Sequence, residues 1–136
     1  MSESYDIIIV GAGPGGSIAA RECANHGLKT LVVDKRQEIG VPVRCGEGLA
    51  ETWIRKAKLK YDPSWCLKEI HGTIIYTPSG RPFDIPAPKE TKGYIIERKV
   101  FEKKIAADAI RAGAKYKVKE RVYDVIKEKG FVCSIL

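Results

Sequence analysis

The period of the apolar positions changes several times along the chain, and each change marks an element. Tyr5 to Val10 (YDIIIV) contains a continuous β-branched run, which predicts a central parallel strand buried on both faces. It runs into Gly11-Ala12-Gly13-Pro14-Gly15-Gly16. Ser17 to Ala24 then follows as small, helix-compatible residues, with Gly27 as a natural stop. Thr30 to Val33 predicts a second strand ending at Asp34. Strand, glycine turn, helix and strand make one right-handed βαβ unit.

Residues 37–48 (QEIGVPVRCGEG) read as a loop, and Leu49 to Leu59 as a helix. Tyr61 to Cys66 is a connector containing Pro63. Glu69 to Pro86 predicts a hairpin that turns at Pro78-Ser79-Gly80. Ala87 to Lys92 reads as a polar linker and Tyr94 to Glu97 as a short strand. Across Arg98 to Ala112 the apolar positions Val100, Phe101, Ile105, Ala109 and Ala112 keep a helical spacing, and Gly113 stops it. Lys115 to Val125 alternates, as strands of a two-sided sheet do, and Phe131 to Leu136 is a further apolar strand. The fold class is α/β with a parallel sheet.

The length of 136 residues suits one domain. The longest apolar run, Ile7 to Val10, is far short of the roughly 20 residues of a membrane span. The start MSESYD lacks the basic and apolar regions of a signal peptide, so a cytoplasmic location is expected. Of the four cysteines (Cys23, Cys45, Cys66, Cys133) none forms a C-x-x-C pair, and only His26 and His71 could complete a metal site; no metal is expected.

The net charge of +7 is uneven: residues 1–49 carry 5 basic and 6 acidic side chains, residues 50–136 carry 19 and 11. The lysines alternate with Glu and apolar residues, as in Lys115-Tyr116-Lys117-Val118-Lys119-Glu120-Arg121, and no aromatic RNA-binding signature accompanies them, so nucleic acid is not the expected partner. One Asn and one Gln stand beside 16 Lys and 11 Glu, a thermophile tendency.

The chemistry concentrates in Gly11-x-Gly13-x-x-Gly16. Gly11 permits the tight turn, Gly13 lets backbone approach a pyrophosphate, and Gly16 lets the helix lie close to the strand. The helix N-terminus offers N–H groups and partial positive charge to an anion. Asp34, 18 residues after Gly16, is placed to accept hydrogen bonds from ribose hydroxyls. Its carboxylate argues against a 2′-phosphate, although Lys35 and Arg36 could offset it. The loop leaves FAD and NAD both open. A glycine turn with a surface Asp is the alternative.

Three segments carry a resemblance: G-A-G-P-G-G, then V-V-D-K-R, then Gly40-Val41-Pro42-Val43-Arg44-Cys45-Gly46-Glu47-Gly48-Leu49. Together they resemble the geranylgeranyl reductase family, nearest its archaeal digeranylgeranylglycerophospholipid reductases, FAD enzymes of the p-hydroxybenzoate hydroxylase-like group that saturate isoprenoid double bonds in lipid precursors. Arg98-x-x-Phe101-x-x-x-Ile105, followed by Gly113-Ala114, is similar to a helix of the same group. The resemblance implies a Rossmann-like FAD/NAD(P)-binding fold over residues 1–60 and 97–136. It also implies a small β-hairpin segment, 61–96, from the start of a substrate domain. FAD is the implied cofactor, held by Gly11, Gly13, Pro14, Gly15, Gly16, Asp34 and Lys35. Arg44, Cys45, Gly46 and Gly48 would lie near the flavin, Arg98 at the phosphates or ribose, and Val122 against the adenine.

Arg44 has the rigid fork that suits phosphate oxygens. Cys45 is either an active-site thiol with a lowered pKa, a candidate catalytic residue, or a buried small hydrophobe. Glu47 is a helix-start residue or a partner of the loop, the former being the expectation. The implied partners are an isoprenoid lipid and an electron donor, with peripheral membrane contact through the basic half. The family's later Gly–Asp signatures and its aromatic–proline motif are absent, so an N-terminal portion of a reductase, with weak or no FAD binding alone, is expected. The alternatives are another FAD oxidoreductase or monooxygenase of the same fold, and a nucleotide-binding module without chemistry.

Overall fold

The computed structural model describes residues 3–86, 92–128 and 131–135. Its elements in chain order are β1 (Ile7–Val10), α1 (Pro14–Asn25), β2 (Thr30–Asp34), β3 (Gly48–Ala50), α2 (Glu51–Lys56), β4 (Cys66–Ile70), β5 (Gly72–Tyr76), β6 (Pro82–Pro86), β7 (Gly93–Ile96), α3 (Arg98–Arg111), β8 (Lys115–Val118), β9 (Val125–Glu128) and β10 (Phe131–Ile135). They form two compact units, Met1–Val43 with Glu102–Leu136, and Arg44–Phe101.

The first unit is built on a parallel sheet of order β1-β2-β8. Ile7 pairs with Thr30 and Val10 with Val33, while Leu31 pairs with Lys115 and Asp34 with Val118. The expected strand–turn–helix–strand start is therefore present, but the expected burial is not. The central strand is β2, whose five residues are all buried. β1 pairs only with β2 among the described residues and stays half-buried, with Val10 61% exposed. A continuous apolar run announces a strand with covered faces, but it does not say which neighbours lie at its edges.

The core of this unit gathers Ala12, Ala20, Val32, Ala109 and Ala114, with Ile9, Ala24, Ile39 and Tyr116 packed around them. Small residues from the glycine turn, α1 and α3 let both helices lie close to the sheet. Burying Val32 completely contributes about 2 kcal/mol. Gly113, at φ +113°, ends α3 as expected. The alternation from Lys115 onward yields β8 only to Val118. Lys119 turns left-handed at φ +63°, and residues 119–124 are irregular before β9. β9 and β10 form an antiparallel pair.

In the second unit β3 and β4 both pair antiparallel with β7. Its core holds Ile54, Trp65, Cys66, Tyr94, Ile96 and Phe101, with the Trp65 and Phe101 rings edge-to-face at 4.9 Å. The helix expected from Leu49 begins only at Glu51, because Gly48–Ala50 is taken up by β7 as a strand. The same pairing draws Arg44 to Lys60 into this unit. The compact units divide at 43/44 and 101/102.

The hairpin expected over 69–86 is two features: β4 belongs to the β7 sheet, and β5 and β6 make the hairpin. The turn is where it was expected, with Gly80 at φ +80° donating its N–H to the Thr77 carbonyl at 2.8 Å. Most of the polar linker falls on residues 87–91, outside the described residues, as does Leu136. No helix among the described residues is long and apolar enough to cross a membrane.

Candidate nucleotide-binding site

β1 delivers the chain to the glycine turn, where the Gly11 N–H donates to the Val33 carbonyl at 2.7 Å. Gly11 adopts φ +108°, a conformation that side-chain-bearing residues rarely take. Gly13 is the N-cap of α1 and Pro14 stands in its first turn, where a missing N–H costs nothing. No side chain caps this helix end. A Cβ added at Gly13 or Gly15 would meet nothing within 4 Å. The turn thus presents bare backbone beside an uncapped helix N-terminus, the arrangement that receives a pyrophosphate. Gly16 has a different role: a Cβ there would lie 1.9 Å from the Gly11 carbonyl oxygen. Ser17, fully buried, donates its hydroxyl to the Ala12 carbonyl at 3.4 Å.

Asp34 ends β2 beside this turn, but its carboxylate faces inward and is only 6% exposed. Oδ2 accepts the Ala12 N–H at 2.6 Å and Arg36 Nη2 at 2.9 Å. Oδ1 accepts the Arg36 backbone N–H at 2.7 Å and Arg36 Nε at 3.1 Å. Burial alone would raise this carboxyl; the side-chain and backbone hydrogen bonds from Arg36 and the Ala12 N–H outweigh it and hold Asp34 below its ordinary range. The Asp34 hydrogen bond raises Arg36 in turn, against its own desolvation. On its other side Arg36 Nη1 reaches the buried Glu102 of α3 at 3.3 Å. Lys35, between the two partners in sequence, is exposed. The residues of the turn thus fit the phosphates of a dinucleotide. The four lone-pair directions of the Asp34 carboxylate accept these protein donors.

Val122 lies in the irregular stretch after β8 rather than on a strand, and lines a cavity of about 910 Å³ together with Ile8, Val10, Val33 and Val125. The rest of the expected site falls in the second unit. Arg44, Cys45 and Gly46 form an exposed loop that leads to Gly48, the exposed first residue of β3, and Cys45 is a free thiol, so the buried reading of that residue is corrected. Arg98 opens α3.

Glu47 brings these two pieces together. Its carbonyl accepts the Ile96 N–H at 2.9 Å, and its Oε1 accepts the Arg98 N–H at 3.2 Å. It does so from a left-handed backbone at φ +60°. The residue is therefore not at the start of the helix that follows it, α2; it satisfies the first turn of α3, 51 positions later. Glu47→Ala should cost about 1 kcal/mol in thermal unfolding, whereas Glu47→Gln, which keeps an acceptor, should cost much less. The sequence reading missed Glu102 altogether and credited Arg36 only with offsetting charge. An opposite charge two positions after a strand-ending acid was the available signal.

Residues 9–68 match the family model of an NAD(P)-binding Rossmann-like domain. The chain is 49% identical over 135 residues to the digeranylgeranylglycerophospholipid reductase of Thermoplasma acidophilum, covering 97% of this chain and 34% of that protein. It is 44% identical over 132 residues to the enzyme of the same name from Methanothrix thermoacetophila, covering 96% and 34%. Among solved structures, a geranylgeranyl bacteriochlorophyll reductase-like protein from Thermoplasma acidophilum superposes with a TM-score of 0.89 at 46% identity, over 98% of this chain and 34% of that one. A flavin-dependent brominase superposes with a TM-score of 0.74 at 30% identity, over 96% and 33%. The chain spans about a third of the length of the curated relatives it matches. The Rossmann-like fold and the resemblance to these reductases are thereby borne out over nearly the whole chain.

Proposed function

We propose that this chain is the dinucleotide-binding part of an FAD-dependent reductase that saturates isoprenoid double bonds of geranylgeranyl lipids in archaeal membrane lipid synthesis. The observation that carries the reading is the 49% identity, over 135 residues, to a digeranylgeranylglycerophospholipid reductase. The open backbone at Gly13 and Gly15 and the uncapped α1 would hold the pyrophosphate. Arg44 and Arg98 are assigned to cofactor phosphates, Gly46 and Gly48 to close passage of backbone by the flavin, and Cys45 to the active site. When bound, FAD supplies the redox chemistry, a hydride for one alkene carbon while its neighbour takes a proton.

We assign the antiparallel segment 61–96 to the beginning of a substrate domain. Its β5–β6 hairpin carries Ile75, Phe83 and Ile85 exposed on one face, an apolar surface suited to a polyisoprenoid. The lipid, an electron donor and a basic surface that approaches an anionic membrane complete the reading. The brominase likeness supports a second reading, a flavin enzyme of other chemistry, at lower identity.

A chimera tests the choice. This chain replaces its counterpart in the Thermoplasma acidophilum reductase; flavin absorbance after purification and reduction of an unsaturated archaeal lipid by dithionite are then measured. Bound flavin with lipid saturation is the expected result. A folded, flavin-loaded chimera that leaves the lipid untouched would favour the second reading. The chain by itself should retain little or no FAD, and stoichiometric flavin on the isolated chain would overturn that expectation.

A further inference from the structure

We propose that Tyr116 is a positioning residue for the glycine turn: its buried hydroxyl closes on Ser17 when a pyrophosphate binds, and through Ser17 it fixes the Ala12–Gly13 peptide that meets the phosphates. The inference rests on the nucleotide-binding reading of the turn and goes beyond it by naming the core groups that set the turn for its ligand.

The middle of the turn is held from inside the core. Ala12 is fully buried, and its N–H donates to Asp34 Oδ2 at 2.6 Å. Its carbonyl accepts the hydroxyl of Ser17, also fully buried, at 3.4 Å, a long contact. In a trans peptide the C=O and N–H of one unit point in opposite directions. Holding the Ala12 carbonyl inward therefore turns the Gly13 N–H toward the open side of the turn, where an added Cβ would meet nothing. That N–H donates to no protein acceptor among the described residues, so it is kept for an anion.

Behind Ser17 stands a titratable group that no other part of the site uses. Tyr116 of β8 packs on the core of Ala12, Ala20, Val32, Ala109 and Ala114. Its hydroxyl oxygen is sealed from solvent and has no hydrogen-bond partner among the described residues. Burial raises this phenol above its ordinary range, and the neighbouring Ser17 side chain acts against the rise. An unpaired buried hydroxyl is costly, and a Phe would fill the same space without it. Ser17 is able to serve as the missing partner. With its own hydrogen on the Ala12 carbonyl, its lone pairs remain open to the Tyr116 O–H. A phosphate on the Gly13 N–H draws electron density through the amide and makes the Ala12 carbonyl a stronger acceptor. The Ser17 bond then shortens, its oxygen accepts more strongly in turn, and the Tyr116 hydroxyl gains its partner. Three bonds in series reinforce one another: Tyr116 to Ser17, Ser17 to Ala12, and Gly13 to phosphate.

Tyr116→Phe and Ser17→Ala, singly and together, decide the matter with ADP as the probe. Affinity is read by calorimetric titration of the flavin-free chimera with the Thermoplasma acidophilum reductase, and ligand-free stability by thermal unfolding of the chain. Tyr116→Phe should weaken ADP about fivefold and leave the ligand-free midpoint unchanged or higher, because only an unpaired hydroxyl is lost. Ser17→Ala should weaken ADP about tenfold, and adding Tyr116→Phe to it should cost nothing further, since the hydroxyl acts through Ser17. Adenosine, which brings no phosphate to the turn, should bind the parent and Tyr116→Phe alike.

A Tyr116→Phe protein that binds ADP as the parent does would overturn the proposal. So would the same fivefold loss in the Ser17→Ala background, which would mean that the hydroxyl acts independently of Ser17. An equal loss for adenosine, or a lowered ligand-free midpoint with affinity intact, would make Tyr116 a packing residue alone. No binding of ADP by the parent chimera would refute the nucleotide reading of the turn itself, an outcome distinct from a failure of Tyr116 to act on it.

Discussion

Replacing Gly16 by Ala should lower stability by about 3 kcal/mol and the thermal midpoint by about 10 °C. The methyl group would lie 1.9 Å from the Gly11 carbonyl oxygen; the Cβ position is fixed by the backbone and its partner is a backbone atom, so no side-chain rotation relieves the contact. The start of α1 would have to move off β1, opening the core in which Ala12 and Ala20 are fully buried. Gly13→Ala is the contrasting case. Gly13 adopts φ −72°, and a Cβ there meets nothing, so stability should change by less than about 1 kcal/mol. The same methyl group would project where a pyrophosphate must approach, so nucleotide affinity should fall at least about tenfold. Calorimetric unfolding of the two variants, and ADP titration of each carried in the chimera with the Thermoplasma acidophilum reductase, separate these roles. If Gly16→Ala unfolds like the parent chain, the close helix–strand approach is not what this glycine serves.

The parts of the site legible in the sequence are those whose geometry is local. The glycine turn, its strand and its helix occupy contiguous residues, so spacing alone places them. Gly113 at the end of α3 and the Thr77–Arg81 turn are legible for the same reason. What the spacing does not show depends on partners brought from elsewhere. β1 carries the apolar run of a central strand, yet β2 holds the centre, because strand order is set by which segments return to each edge. Gly48–Ala50 is read as the first turn of a helix until β7, more than 40 positions later, pairs with it.

Glu47 and Asp34 are the most instructive cases. Both are motif residues whose sequence neighbours do not reveal their partners. Glu47 instead serves a helix 51 positions on, and Asp34 is closed over by the guanidinium two positions on. Acids near a glycine-rich turn are read as ligand acceptors by habit of spacing. The structure shows that an acid can be consumed in fixing the turn.

Asp34→Asn should therefore cost about 3 kcal/mol at pH 7, since it breaks a buried pair and leaves the Arg36 guanidinium facing an amide. The amide can still accept the Ala12 N–H through its oxygen, but its NH₂ group confronts donors that previously had a carboxylate oxygen. The sign of the pH dependence follows from the direction in which Asp34 is displaced. Its folded-state pKa lies below the unfolded value near 3.8, so the carboxylate stabilises the fold fully above that pH. That contribution is lost as pH falls through the folded-state value. Urea unfolding of the parent chain and of Asp34→Asn should thus show a gap that is constant from about pH 8 to 5 and narrows below about pH 4. Arg36 keeps its charge throughout this range, because contact with Asp34 raises it further. A gap that persists undiminished at about pH 2.5 would mean that the neutral acid holds Arg36 as well as the carboxylate does. The closure of Asp34 by the guanidinium would then owe nothing to charge.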